Sequence, residues 1–166
     1  MIINTGGTFN KKYNPISGML EVTNNSRVID RILRNYDSFI LVSNIIGKDS
    51  LEFTDKDRQE ILNEIKGTLN KNIIVIHGTD TMEKSAQFIS DNVDDKNIVF
   101  VGSMTPFSIE PIDATLNLGI AMGFLKGKVV SNDKDFNVYI CMNGIIDKFN
   151  LITKNRKKGA FEYKEQ

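Results

Sequence analysis

The chain is poor in the residues that usually announce chemistry. It has one cysteine, one histidine, no tryptophan and three prolines. A single cysteine excludes an intrachain disulfide and any cysteine cluster holding a structural metal. Cys141 sits in the apolar run from Val138 to Met142, where it reads as a small buried core residue. The lone histidine, His77, would have to serve any Ser-His-Asp triad. It stands before Gly78 at a predicted strand end, where packing or a backbone hydrogen bond is the simpler role. Net charge is lacking too, since 21 basic residues balance 21 acidic ones. No global field draws the protein toward nucleic acid or anionic lipid. The one basic concentration, Lys154, Arg156, Lys157 and Lys158, is diluted by Glu162 and Glu165 and reads as a solvated surface segment. No apolar run approaches the ~20 residues needed to span a bilayer. Met1 leads directly into Ile2, Ile3 and a Thr-Gly-Gly-Thr turn, without a basic leader or cleavage site. The expectation is a cytoplasmic protein with no membrane partner.

What remains is an ordinary globular composition: 166 residues, 40% hydrophobic and 25% charged. A chain of this size buries roughly 70% of its unfolded surface in one core. The reading is therefore one domain over residues 1–166, with a looser tail from about Arg156. Compact runs rich in Ile, Val or Phe predict strands at Met1–Asn4, Ser38–Asn44, Asn72–Ile76, Asn97–Val101 and Asn137–Met142. Such runs suit strands covered on both faces. Helical spacing fills the intervals. Val28, Ile29, Ile32 and Leu33 follow the cap candidates Asn24, Asn25 and Ser26. Ile61, Leu62, Ile65 and Leu69 follow Thr54, with Asp55 and Asp57 in the first turn. Met82, Ala86 and Ile89 follow Asp80, and Leu116, Ile120 and Phe124 make the stripe of a last helix from about Asp113 to Leu125. Alternating strands and helices predict an α/β fold, a mostly parallel sheet with helices on both faces and right-handed crossovers.

In such sheets ligands bind beyond the carboxyl ends of the strands, and four of those ends are polar. They are Thr5-Gly6-Gly7-Thr8, Gly47-Lys48-Asp49-Ser50, His77-Gly78-Thr79-Asp80-Thr81 and Gly102-Ser103-Met104-Thr105-Pro106. Glycine permits close backbone approach, and the hydroxyls offer donors, acceptors or a nucleophile. One such turn is only a turn; four in one small domain converge on one crevice. A phosphate cradle is disfavoured, because neither a P-loop nor a complete G-x-G-x-x-G is present. A G-x-S-x-G elbow is also missing. A hydroxyl nucleophile without histidine needs a lysine or tyrosine as proton acceptor. Tyr13 and Lys154 are the candidates, although read alone they are a surface aromatic and a solvated lysine. Tyr13 lies in a segment with Pro15 and Gly18 that fits a hairpin or lid.

These residues also carry a family resemblance. Ile3 to Phe9 resembles the first active-site signature of bacterial-type L-asparaginases, and His77-Gly78-Thr79-Asp80-Thr81-Met82-Glu83 matches the second almost letter for letter. Val101 to Pro106, with Asp113, Asn117 and Leu118, resembles the segment after the fourth strand. The likeness covers essentially the whole chain and implies the family's flavodoxin-like N-terminal domain. It implies hydrolysis of the side-chain amide of asparagine, or glutamine, to acid and ammonia, with no cofactor and no metal. By motif, Thr8 would be the nucleophile and Tyr13 would assist its deprotonation. Thr79, Asp80 and Lys154 would form a second polar triad. Asp49 and Ser50, with Gly7, Gly78, Thr79, Asp80 and Ser103, would line the amino-acid site. There Ser50 would hold the α-carboxylate and Asp80 the α-amino group. Backbone N–H groups near Thr79 and Ser103 would stabilise the oxyanion.

The chain departs from the family pattern in two ways. Family members carry a second, C-terminal domain whose glutamate supports the lid tyrosine, and no residue here aligns with that glutamate. The segment between Thr8 and Tyr13 is also shorter. These departures motivate a second reading, a binding module that holds amino acids or a partner without turnover. A third, an ammonia-releasing amidotransferase subunit, finds no basic patch to support it. A single-domain form would leave apolar surface to cover, so a homodimer or higher oligomer is expected.

Overall fold

The computed structural model describes residues 1–36, 39–133 and 135–165. Five strands run parallel: β1 (Ile2–Gly6), β4 (Val42–Lys48), β5 (Asn72–Ile76), β6 (Asn97–Val101) and β7 (Val138–Met142). An antiparallel edge strand, β8 (Ile145–Lys148), completes the order β4-β1-β5-β6-β7-β8. Two hairpins stand outside this sheet, β2 (Lys11–Asn14) with β3 (Met19–Val22), and β9 (Ile152–Asn155) with β10 (Ala160–Tyr163). Among the described residues four helices pack on the sheet: α1 (Arg27–Ile32), α2 (Asp55–Gly67), α3 (Met82–Ser90) and α4 (Pro111–Val130). No helix among the described residues is long and apolar enough to cross a membrane.

The alternation of strand side chains builds two cores. Ile3, Val75, Phe100 and Ile140 are cross-strand neighbours in one row and pack under Ile61, Ile65, Met82 and Ala86 of α2 and α3. The next row, Ile2, Ile74, Val99 and Tyr139, faces Ile29 of α1 and Ala114, Leu118 and Ala121 of α4. All these residues are at most 5% exposed. Each buried aliphatic side chain contributes about 1.5–3 kcal/mol of transfer free energy, and this is why strands covered on both faces read as uninterrupted apolar runs. α2 begins as its sequence predicts. Thr54 accepts from Asp57 N and the Asp57 carboxylate accepts from Thr54 N, a complete capping box.

Three expectations about the fold need correction. The second strand is Val42–Lys48 rather than Ser38–Asn44; Ser38 itself lies outside the described residues. Its register is set by Ile2 opposite Val42 and by the burial of Ile46, whereas Phe39 is 94% exposed. The tail is not loose. Beyond Arg156 the chain turns back as β10 over Ala160–Tyr163, and Phe161 inserts into the core on the α2 and α3 face. β8 had no signal of its own, being partly buried and short.

The crossovers do not share one hand. The step from β1 to β4 carries α1 on one face, and the opposite steps from β4 to β5 and from β5 to β6 carry α2 and α3 on the other. These three are consistent with each other. The step from β6 to β7 goes the same way as the previous two, yet α4 lies on the face of α1. Because ≈ 98% of such connections are right-handed, the β6-α4-β7 crossover is the left-handed one. The loop Gly102–Glu110 gives the chain length to change face. It is pinned by Met104 N donating to Asp113 Oδ2 (2.6 Å) and by Asn117 Nδ2 donating to the Gly102 carbonyl (3.1 Å).

Candidate active site

The order β4-β1-β5 places the switch point of the sheet beside β1, with β4 and β5 reached by connections on opposite faces. The polar ends of β1, β4, β5 and β6 meet there through glycines. Gly7 has φ +71°, and a Cβ on it would lie 2.5 Å from Gly78 Cα. A Cβ on Gly78 would lie 2.6 Å from Ser50 Oγ, and one on Gly102 would lie 2.6 Å from the His77 carbonyl. The turns therefore touch backbone to backbone, a contact that only glycine allows.

This packing fixes each hydroxyl. Ser50 is fully buried and its Oγ accepts from Asp80 N at 3.2 Å. The Ser50 carbonyl accepts from Thr81 Oγ1 at 2.8 Å. Thr5 is spent structurally, donating from Oγ1 to the Ile76 carbonyl. Thr8 opens a short 3-10 turn, half-buried, with Gly7 N held by the Lys48 carbonyl. Among the described residues no protein group hydrogen-bonds the Thr8 hydroxyl.

The second triad is assembled. Lys154 Nζ lies 2.7 Å from Thr79 Oγ1 and 3.0 Å from Asp80 Oδ1. Lys154 arrives from β9, more than 70 residues away in sequence, and Glu83 holds that strand in place. One Glu83 oxygen, Oε1, accepts both Thr153 Oγ1 (2.8 Å) and Lys154 N (3.1 Å). Lys164 lies 3.3 Å from the other oxygen. Arg156 also reaches this cluster, donating from Nη1 to Asp80 Oδ1 at 2.6 Å and from Nη2 to the Asp80 carbonyl at 3.3 Å. The basic segment is thus only partly solvent-facing, because two of its four cations are turned onto Asp80.

Other predicted residues sit differently. Asp49 is at the site but paired with Lys11 at 2.7 Å. Burial pushes its carboxyl up, while the Lys11 ammonium and the Leu51 N–H outweigh this and hold it below the ordinary value. Ser103 is buried, and among the described residues its Oγ has no partner. Tyr13 is not gathered in. It lies on β2, 57% exposed and opposite Leu20. The hairpin that carries it is anchored at its base, by the Lys11–Asp49 pair, by Ser108 Oγ donating to the Lys11 carbonyl and by Thr23 Oγ1 donating to that of Asn10. His77 is structural, fully buried between Phe53 and Phe100, with Nδ1 donating to the Gly78 carbonyl at 2.7 Å. Burial lowers its pKa to about 4, so it is neutral at physiological pH. Cys141 is buried as expected, and burial raises its thiol to about 12. Sequence reasoning missed Lys11, Glu83 and Arg156 as members of the site. Only Glu83 had a signal, its place in the second signature.

Comparison with known proteins places the chain in a family and a fold. A sequence model described as "Asparaginase, N-terminal" matches residues 1–164. The glutaminase-asparaginase of Acinetobacter glutaminasificans is 29% identical over 171 residues, covering 93% of this chain and 49% of the relative. The thermostable L-asparaginase from Thermococcus kodakarensis superposes with a TM-score of 0.79 at 22% identity, covering 98% of this chain and 50% of that one. A probable cytoplasmic L-asparaginase from Campylobacter jejuni gives 0.77 at 24% identity, over 98% of this chain and 52% of that one. The two structures establish the shared fold, and the chain spans about half the length of each relative.

Proposed function

Because the chain belongs to the asparaginase family, we propose that it is an amidohydrolase. It cleaves the side-chain amide of L-asparagine, or a related ω-amide, through a threonine nucleophile. The observation that carries the reading is the Thr79–Lys154–Asp80 cluster, with Nζ 2.7 Å from Oγ1, packed beside the glycine-bound turn that presents Thr8. Thr8 Oγ1 attacks the amide carbonyl, and backbone N–H groups at the strand ends stabilise the oxyanion. Collapse forms an acyl ester on Thr8 and releases ammonia, whose nitrogen takes its proton through the Thr79 and Lys154 pair. Water then cleaves the ester and releases the acid. Tyr13 assists the first proton transfer when the β2–β3 hairpin folds over the site. No cofactor enters this sequence.

The test is ammonia release from L-asparagine and L-glutamine by the purified chain. Thr8→Ala and Thr79→Ala should each lower kcat/KM more than ~100-fold while the fold is retained. Turnover by Thr8→Ala at the wild-type rate would remove the nucleophile assignment. The outlying position of Tyr13 favours one competing reading, a domain that binds amino acids without turnover. Calorimetric binding with no ammonia would select that reading. The proposal retains a cytoplasmic homo-oligomer as the working form, and light scattering on the purified chain tests the assembly.

A further inference from the structure

Asp80 is the carboxylate that an α-ammonium would be expected to reach, and it is already neutralised. Lys154 Nζ and Arg156 Nη1 both stand on the same oxygen, Oδ1, at 3.0 and 2.6 Å. Arg156 adds a second point of hold through Nη2 on the Asp80 carbonyl. Two cations on one carboxylate leave this corner with a surplus of positive charge. At the neighbouring strand end Asp49 is balanced by Lys11, so both of these carboxylates carry a compensating cation. An incoming ammonium meets like charge there, whereas an incoming carboxylate does not. The Arg156 side chain is 64% exposed and stands on the hairpin turn beyond β9, outside the buried packing. Its occupation of Asp80 is therefore a contact at the mouth of the site and not a fold requirement.

We propose that Arg156 is a specificity-determining residue. It occupies Asp80 and shifts the site from α-amino acid amides toward ω-amides of dicarboxylic acids that carry no α-ammonium. This rests on the amidohydrolase reading for the turnover step but not for the binding step. Succinamate, which is asparagine without its ammonium, is the probe. On the wild-type chain succinamate and L-asparagine should bind with dissociation constants within about threefold of each other. Arg156→Ala removes one of the two cations held on Asp80 Oδ1 and should move the ratio at least tenfold toward L-asparagine. Arg156→Lys retains a cation and should keep most of the wild-type ratio.

Calorimetric titration of all three proteins with both compounds reads this directly, with Thr8→Ala added to each so that neither compound is hydrolysed during the titration. A wild-type preference for L-asparagine of tenfold or more overturns the proposal. So does an unchanged ratio in Arg156→Ala, or the absence of binding of either compound. Ammonia release is measured in parallel. Binding that follows the predicted pattern without Thr8-dependent ammonia supports the role of Arg156 and contradicts the hydrolase reading alone.

Discussion

Glu83 shows how much a single side chain arranges here. Its Oε1 accepts from the amide of Lys154 and from the hydroxyl of Thr153, so it sets the height of β9 against α3 and aims Nζ at Thr79. Glu83→Ala should lower kcat more than KM and cost about 1–3 kcal/mol of stability, because two partly buried donors lose their acceptor. Glu83→Gln keeps an amide oxygen in the same place and should recover much of both. Steady-state kinetics with urea unfolding separates these effects. His77 gives a pH prediction of the same kind. Burial lowers its pKa to about 4, against ≈ 6.5 for an unperturbed histidine. Between those values the unfolded chain binds a proton that the folded chain refuses. Stability is thus complete above about pH 6.5 and falls as pH drops toward 4, by on the order of 3 kcal/mol. Urea midpoints over that window check the slope, which His77→Gln should flatten; His77 is the only histidine in the chain. At this scale the sequence was legible where residues are adjacent, as in Thr79 and Asp80. Partners 70 or more positions apart, such as Glu83 with Thr153 or Asp80 with Arg156, leave no local signal.

Among the elements, those covered on both faces were read with their bounds nearly right, because burial forces the continuous apolar pattern of β5 and β6. The elements that were misread are those whose position depends on a neighbour. β4 is an edge strand with a mixed burial pattern, and its register follows β1 rather than its own hydrophobicity. β10 contributes one fully buried anchor, Phe161, 4% exposed, while its other residues are partly buried or exposed, so its pattern resembles a tail. That anchor nevertheless closes the hairpin whose first strand carries Lys154. Phe161→Ala should cost about 3 kcal/mol or more and reduce ammonia release beyond the loss expected from unfolding alone. Chemical denaturation, with activity measured under conditions where the variant remains folded, tests both parts. Wild-type activity in a folded Phe161→Ala protein would show that β9 holds its position without β10.

For the molecule as a whole, the parallel order and the convergence of polar strand ends followed from sequence, because both are consequences of alternating strands and helices. The left-handed β6-α4-β7 crossover did not. Handedness is a property of how helices are distributed over the two faces, and the stripe Leu116, Ile120 and Phe124 is not the face that α4 buries: Leu116 is 57% exposed, whereas Ala114, Leu118 and Ala121 are buried. Its effect is to bring Gly102 against His77 and Thr79 while the rest of the loop is tied to Asp113, completing the fourth wall of the crevice. In the proposed function this crevice directs Thr8 at an amide carbonyl. The most direct test is mass spectrometry of the full chain acid-quenched during turnover of L-asparagine, with peptide mapping of any adduct. The account predicts a mass increase of one aspartyl group on the peptide containing Thr8, absent from Thr8→Ala. An adduct on Thr79 instead, or steady ammonia release by Thr8→Ala, would contradict it.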